Sequence, residues 1–282
     1  GNILWATYFG GLGANLAYDV VADGNNDPII VGVTNANNLP VTIGAFQTAR
    51  KGGADIFAAK FNTAGGLSWA TYLGGSQSDG TSSGMGIGDG MVSVDTDGAN
   101  DIIISSVTES TNFPVTGSAY QTSFALGDTK NACITKFTSA GLMSWSTFFG
   151  GSAEDYSTCI AVGPGNTIYI VGNSNSTDLP ASVGVFQSVY SGSGLDEPFI
   201  AKFSGSGNFS WTTHYSGTGG SSGYITTASS IDADAAGNVV INGSTNDATF
   251  PTTPGVYQPS LNTSSYDIFL AKINNSGQQV WG

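Results

Sequence analysis

The sequence predicts an all-β chain, and three observations carry that prediction. One seven-residue block is written four times: WATYFGG (5–11), WATYLGG (69–75), WSTFFGG (145–151) and WTTHYSG (211–217). The acids are 17 Asp against 3 Glu; Asp favours turns by bonding nearby backbone amides, whereas Glu favours helices. No stretch sustains a helical period, while short β-branched and apolar runs recur between Gly, Asn and Asp.

The repeat orders everything else. Trp5, Trp69, Trp145, Trp211 and Trp281 follow one another at steps of 64, 76, 66 and 70 residues. Two further blocks keep that step. NLPVTIGAFQ (38–47) returns as NFPVTGSAYQ (112–121), DLPASVGVFQ (178–187) and TFPTTPGVYQ (249–258). DIFAAKF (55–61) returns as NACITKF (131–137), EPFIAKF (197–203) and DIFLAKI (267–273). Several blocks in one order at one period establish internal repetition.

Each unit reads as four strands. The first is a run such as AYDVVA (17–22) or SSIDA (229–233), ending in a Gly/Asn/Asp turn. The second is PIIVGVT (28–34), IIISSVT (102–108), TIYIVGNS (167–174) or VVINGST (239–245), β-branched as a buried strand should be. After the Pro and Gln block comes the DIFAAKF strand, its side chains alternating between faces. A Gly-containing turn then returns the chain as the Trp strand. Four antiparallel strands joined by tight turns make one blade of a β-propeller. The reading is a single domain, 1–282, with units at about 12–75, 76–151, 152–217 and 218–282. A lone blade cannot bury both faces of its sheet, but stacked blades can. Residues 1–11 are then expected to supply the fourth strand of the last blade and close the ring, leaving QQVWG (278–282) as a redundant start of that strand. Because the chain begins and ends inside a unit, it is expected to be a segment of a longer protein.

The combined pattern, W-[AST]-T-[YF]-[FL]-G-G followed by G-N, [FL]-P-x-T, [FY]-Q and D-x-F-x-A-K, resembles the bacterial SBBP repeat across essentially the whole chain. The family label implies a seven-bladed propeller. The resemblance also implies parts of long secreted or surface proteins, with no established chemistry. Four copies leave open a four-bladed ring, an arc of a larger ring, or two chains sharing one ring.

Twenty acids against seven bases give a net charge of −13, which repels nucleic acid and anionic lipid. No apolar run approaches the length that spans a bilayer. Cys133 and Cys159 are too few for a disulfide scaffold, and each reads as a small buried thiol in an apolar run. His214 stands in the slot of Tyr8, Tyr72 and Phe148, so it reads as a packed ring rather than a catalytic base.

Calcium is the one cofactor the sequence suggests. Asp95, Asp97, Asn100 and Asp101 crowd hard oxygens around a Gly turn, although the same residues serve as ordinary turn formers. Lys60, Lys136, Lys202 and Lys272 fall at one repeat position. They read either as a cationic ring for an acidic glycan or as stems along an apolar face whose ammonium groups meet an Asp or a carbonyl; repetition in every unit favours the second. Trp5, Trp69, Trp145 and Trp211 are expected to pack between blades. Irregular inserts at 77–91 and 191–197 are where an asymmetric site would lie.

Two function classes follow: a secreted or cell-surface structural or adhesive module presenting binding loops, and a glycan-binding or glycan-cleaving propeller. Catalysis would need an asymmetric set of acid, base and nucleophile that the sequence does not display. Partners are expected among surface proteins, glycans or further copies joined through open ends.

Overall fold

A computed structural model describes residues 1–81, 91–125, 129–192, 196–218, 225–262 and 265–282. Its strands fall into four antiparallel four-stranded sheets, each paired in chain order. Sheet 1 holds β1 (Asn15–Ala22), β2 (Pro28–Thr34), β3 (Asp55–Phe61) and β4 (Leu67–Leu73). Sheet 2 holds β5 (Val92–Thr96), β6 (Ile102–Thr108), β7 (Asn131–Phe137) and β8 (Met143–Phe149). Sheet 3 holds β9 (Asp155–Gly163), β10 (Thr167–Ser174), β11 (Glu197–Phe203) and β12 (Phe209–His214). Sheet 4 holds β13 (Thr226–Ala233), β14 (Val239–Thr245), β15 (Asp267–Ile273) and β16 (Gln279–Trp281). The only helical element among the described residues is a 3₁₀ turn at Pro164–Asn166, and no helix there is long and apolar enough to cross a membrane.

Local chemistry sets the pairing. In the β3–β4 turn Asn62 Oδ1 accepts the N–H groups of Ala64 and Gly66, and Gly65 takes the left-handed φ of +84° that closes the hairpin. Asn274 repeats the device between β15 and β16, accepting from Ser276 and Gln278. The glycine inside the second strand has a different cause. Gly32, Gly172 and Gly243 each face a bulge in the neighbouring first strand. A Cβ there would stand about 2 Å from a backbone carbonyl oxygen of Leu16, Tyr156 or Thr227. Only glycine allows that approach.

The chain separates into two compact units, Gly1–Ser123 with Ala132–Phe148, and Phe124–Asn131 with Phe149–Gly282. In the first, sheet 1 packs on sheet 2 through β1, β2 and β5, and Asp19 Oδ2 accepts from Ser93 Oγ and Val94 N at 2.8 and 2.9 Å. In the second, β9, β10 and β11 pack on β13. Tyr169, Ile200, Trp211, Tyr215, Ile231 and Phe269 belong to the apolar cluster they bury.

One expectation is corrected. Residues 1–11 form no strand, and the fourth position of sheet 4 is held by β16, so QQVWG is no redundant remnant. The physical reason is local. The Asn274 turn brings β16 back onto β15 within a few residues, whereas Trp5 donates its indole N–H to Thr63 O in sheet 1 at 2.9 Å and Phe9 packs on Phe57 and Phe61. Closing a short hairpin costs far less chain entropy than joining distant segments.

Candidate functional site

Lys60, Lys136, Lys202 and Lys272 recur at one position of the third strand in every sheet. Lys60 Nζ lies 2.6 Å from Asp23 and 3.7 Å from Asp27. Lys136 lies 2.6 Å from Asp97 and 3.2 Å from Asp101, and Lys272 lies 2.8 Å from Asp234. The acid is in each case the first residue of the turn between a sheet's first two strands. Its other oxygen accepts two turn N–H groups, those of Asn25 and Asp27 on Asp23 and of Ala99 and Asp101 on Asp97. Burial opposes ionisation of Asp23 and Asp97, but the lysine and the turn amides outweigh it and hold both carboxyls below the usual range. In sheet 3 the turn is Gly163, Pro164, Gly165 and Asn166, with no carboxylate. There Lys202 turns to Asn275, bonding its backbone oxygen at 3.1 Å, and sits 5.7 Å from the Tyr169 ring centre.

This arrangement decides where the calcium candidates lie. Asp97 and Asp101 converge on Lys136, Asn100 Oδ1 accepts the N–H of Gly24, and Asp95 Oδ1 accepts the N–H of Thr96. The ammonium of Lys136 supplies the positive charge that a metal would bring. Among the described residues no group of three or more His, Cys, Asp or Glu side chains is placed to hold a metal ion.

The tryptophans meet turn carbonyls one sheet along. Trp69 Nε1 donates to Ser139 O at 3.0 Å and Trp211 Nε1 to Asn275 O at 3.1 Å, as Trp5 does to Thr63 O. Trp145 is buried in β8. Their faces are covered by turn glycines: Gly65 lies against Trp5, Gly141 against Trp69 and Gly277 against Trp211. A sugar ring stacks on an open aromatic face, and Trp69, Trp145 and Trp211 keep theirs buried. His214 is buried opposite Phe199, as Tyr72 is opposite Phe57. Burial pulls its imidazole down to about 4, and the Tyr190 ring lies edge-on to it at 6.0 Å between centres. Both cysteines are free thiols, and burial pushes Cys133 well above the usual thiol range.

Sequence reasoning missed a set of buried acids. Asp55 accepts from Gln47 Nε2, Lys51 N and Gly52 N at 2.9 to 3.1 Å. Asp79 accepts from Gly75 N, Ser110 Oγ and Thr108 Oγ1. Asp155 repeats that role with Gly151 N and Ser176 Oγ, and Glu197 is held by Gln187, Ser191 and Ser216. Burial raises all four, Asp79 to about 7 with Asp55 adding to it, and Asp155 to about 6. The signal was present: an acid four residues beyond the Gly-Gly pair in two units, and an acid opening the third strand in three. Asp79 and Asp155 tie their Gly-Gly turns down through the N–H of Gly75 and Gly151.

The inserts at 77–91 and 191–197 are only partly placed, since 82–90 and 193–195 lie outside the described residues. The described cavity with an apolar floor is at sheet 4. A groove of about 350 Å³ runs along β15, lined by Phe250, Val256, Leu261, Ile268, Phe269 and Leu270, with Trp281 and Gly282 at one end. A second hollow of about 390 Å³ holds Asp27, Lys60, Trp69 and Gly141, but its charges are already paired and its indole is buried.

No family model matches the chain, and no curated relative does. Among solved structures, a protein of unknown function from Dyadobacter fermentans DSM 18053 is similar, with a TM-score of 0.47, 9% identity, and 93% of this chain and 66% of that one covered. The tail fiber of Staphylococcus aureus phage P68 is similar with a TM-score of 0.26, 10% identity, and 86% and 49% covered. The chain thus spans about two thirds of one and about half of the other. Both likenesses are faint.

Proposed function

We propose that the four sheets are blades of a β-propeller built from SBBP-type repeats. In this reading the chain is a non-catalytic structural or adhesive module that works outside the cell or on its surface, presenting loops to surface proteins or glycans. One observation carries the reading. Groups that could perform chemistry recur on structural partners: lysine with the turn acid in three of the four sheets, indole with the next turn's carbonyl, buried acid with the Gly-Gly turn. An active site breaks such symmetry, because it needs one set of groups left uncommitted. The composition, rich in Asn, Ser, Thr and Gly with only seven basic residues, suits export. A glycan array read for binding, run beside a polysaccharide panel read for released reducing ends, tests the proposal. Retention of glycans or surface proteins without release supports it. Release of sugars would overturn the non-catalytic reading.

A further inference from the structure

Three departures from the repeat meet at one point between sheets 3 and 4. The turn between β9 and β10 is the one of the four without a carboxylate. Lys202 accordingly makes no ion pair among the described residues, whereas Lys60, Lys136 and Lys272 each do. The turn between β15 and β16 carries Asn275 where the equivalent turns carry Thr63, Ser139 and Gly205. Sheet 3 also sets Tyr169 opposite Lys202, where sheets 1 and 4 set Ile29 opposite Lys60 and Val240 opposite Lys272. The lysine without an acid thus faces the turn with an amide, beside a hydroxyl that those two sheets lack.

The three side chains touch, and all belong to the second compact unit. Lys202 Nζ donates to Asn275 Oδ1 and, at 3.1 Å, to the backbone oxygen of the same residue. Trp211 Nε1 holds that backbone oxygen as well, at 3.1 Å. The buried Tyr169 hydroxyl shares its proton between Gly237 O at 2.8 Å and Asn275 Oδ1 at 3.1 Å. Gly237 leaves room for the amide, since a Cβ there would press at 3.3 Å on Asn275 Cγ and Nδ2 and on the Tyr169 hydroxyl oxygen. Asp234, whose charge bears on Tyr169, is already paired with Lys272 at 2.8 Å. Burial opposes charge on both Lys136 and Lys202. Asp97 and Asp101 outweigh it and hold Lys136 above its ordinary value, whereas burial alone pulls Lys202 below. The Lys202 amine therefore reaches its neutral, nucleophilic form more readily than an ordinary lysine. Burial, with Asp234 adding to it, raises Tyr169 to about 12, so its hydroxyl keeps the proton it donates.

We propose that Lys202 and Asn275 join in an amide bond, formed once by the folded chain with release of ammonia. Neutral Nζ attacks Cγ and forms the Nζ–Cγ bond, while the carbonyl pair moves onto Oδ1. The Tyr169 hydroxyl meets the charge that gathers there, as a donor in an oxyanion hole does. When the pair returns, the Cγ–Nδ2 bond breaks, Nδ2 takes the proton that Nζ gives up, and ammonia leaves. An amine and a primary amide become one secondary amide, and nothing is oxidised or reduced. The fold supplies the positioning, because four hydrogen bonds and the Gly237 cradle hold nucleophile and amide together. Asn275 is exposed, so the ammonia escapes into water. The bond ties β11 to the β15–β16 turn across 73 residues of chain, constraining the unfolded state as a disulfide would but without sensitivity to reductant. The reaction is the chain acting once upon itself, so it stands apart from where the protein works and from what it binds.

The test is the mass of the full chain, measured in denaturant after the folded protein has been held in mildly alkaline solution, together with a map of its proteolytic fragments. The expected result is a chain lighter than its sequence by one ammonia. Fragmentation should place the link between Lys202 and Asn275, and trypsin should fail to cut after Lys202. Lys202→Arg and Asn275→Ala should each restore the full mass, since the guanidinium does not attack and alanine has no amide to lose. Tyr169→Phe should slow the loss of ammonia, followed as mass against time, by about 100-fold. A chain that keeps the full mass of its sequence overturns the proposal. So does an ammonia loss that persists in Lys202→Arg, or a link that fragmentation places at other residues. An unchanged rate in Tyr169→Phe overturns the part given to its hydroxyl. The mass and fragment map of the unmodified chain need no variant, so they decide the matter even where a substitution prevents folding.

Discussion

Asp79 and Lys136 show what a buried charge does here. Asp79 is fully buried, and burial first, then neighbouring Asp55, raise its carboxyl from 3.8 to about 7. A carboxyl raised in the folded state binds its proton more tightly folded than unfolded. Stability therefore falls as pH climbs from about 4 to about 7 and is flat above, by at most about 4 kcal/mol for a shift of this size. The melting temperature should rise as pH is lowered from about 8 to about 5, and Asp79→Asn should flatten that rise; calorimetry across the range would show it. A rise that persists undiminished in the variant assigns the effect to other groups. Asp23 and Asp97, held low, act oppositely: their contribution is present above the ordinary carboxylate range and is lost as pH falls through their depressed values. Stability should thus pass through a maximum in mildly acidic solution. The lysine partners are open to a second measurement. Lys136→Ala strands the almost wholly buried Asp97 and should cost about 2–4 kcal/mol by denaturant unfolding, much of it recovered when Asp97→Ala is added. Lys202→Ala leaves no carboxylate behind and should cost under about 1.5 kcal/mol relative to the chain before its Lys202 amide bond forms.

At the scale of the element, the Trp strand and the turn beyond it form one joint. Gly141 sits at φ +81°, and a Cβ there would stand 2.8 Å from Trp69 Cδ2. Gly141→Ala therefore meets both a left-handed backbone and the indole, and should destabilise by about 1–3 kcal/mol in thermal or urea unfolding. An equally stable variant would mean that the joint yields. Much of this level was legible in the sequence, because Trp5, Trp69 and Trp211 recur with a Gly-bearing turn one unit further on, and β2, β3 and their counterparts announce themselves by β-branched residues. The edge of sheet 4 was not. ILWATYF and QQVW both fit the fourth strand of the last sheet, and a motif match cannot rank two claimants; the short Asn274 hairpin does. The partner of the Asp97 turn was equally hidden. Its oxygens suit a calcium ion or an ammonium, and only the fold brings Lys136 to them across 39 residues.

For the whole molecule, sheets packed in pairs make the stability of each compact unit a sum over its sheets and the contacts between them. One slot sampled in two sheets of the same compact unit isolates that neighbour contribution. Ile200 in β11 is fully buried and belongs to the cluster shared with Ile231, Val239 and Phe269 of sheet 4. Leu270 in β15 holds the same slot with half its surface in water. Ile200→Ala removes buried methylenes from a packed joint and should cost about 2–5 kcal/mol. Leu270→Ala removes a side chain of similar size from an open face, and in dilute solution should cost no more than about 0.5 kcal/mol. Denaturant unfolding of both variants in dilute and concentrated solution separates two causes. If a neighbouring copy covers the face of sheet 4, the cost of Leu270→Ala grows with protein concentration, because the lost contact is then made between chains. If the cost stays small at every concentration, no neighbour covers that face. If it is already large in dilute solution, something within the chain covers Leu270, and the groove beside it is not open.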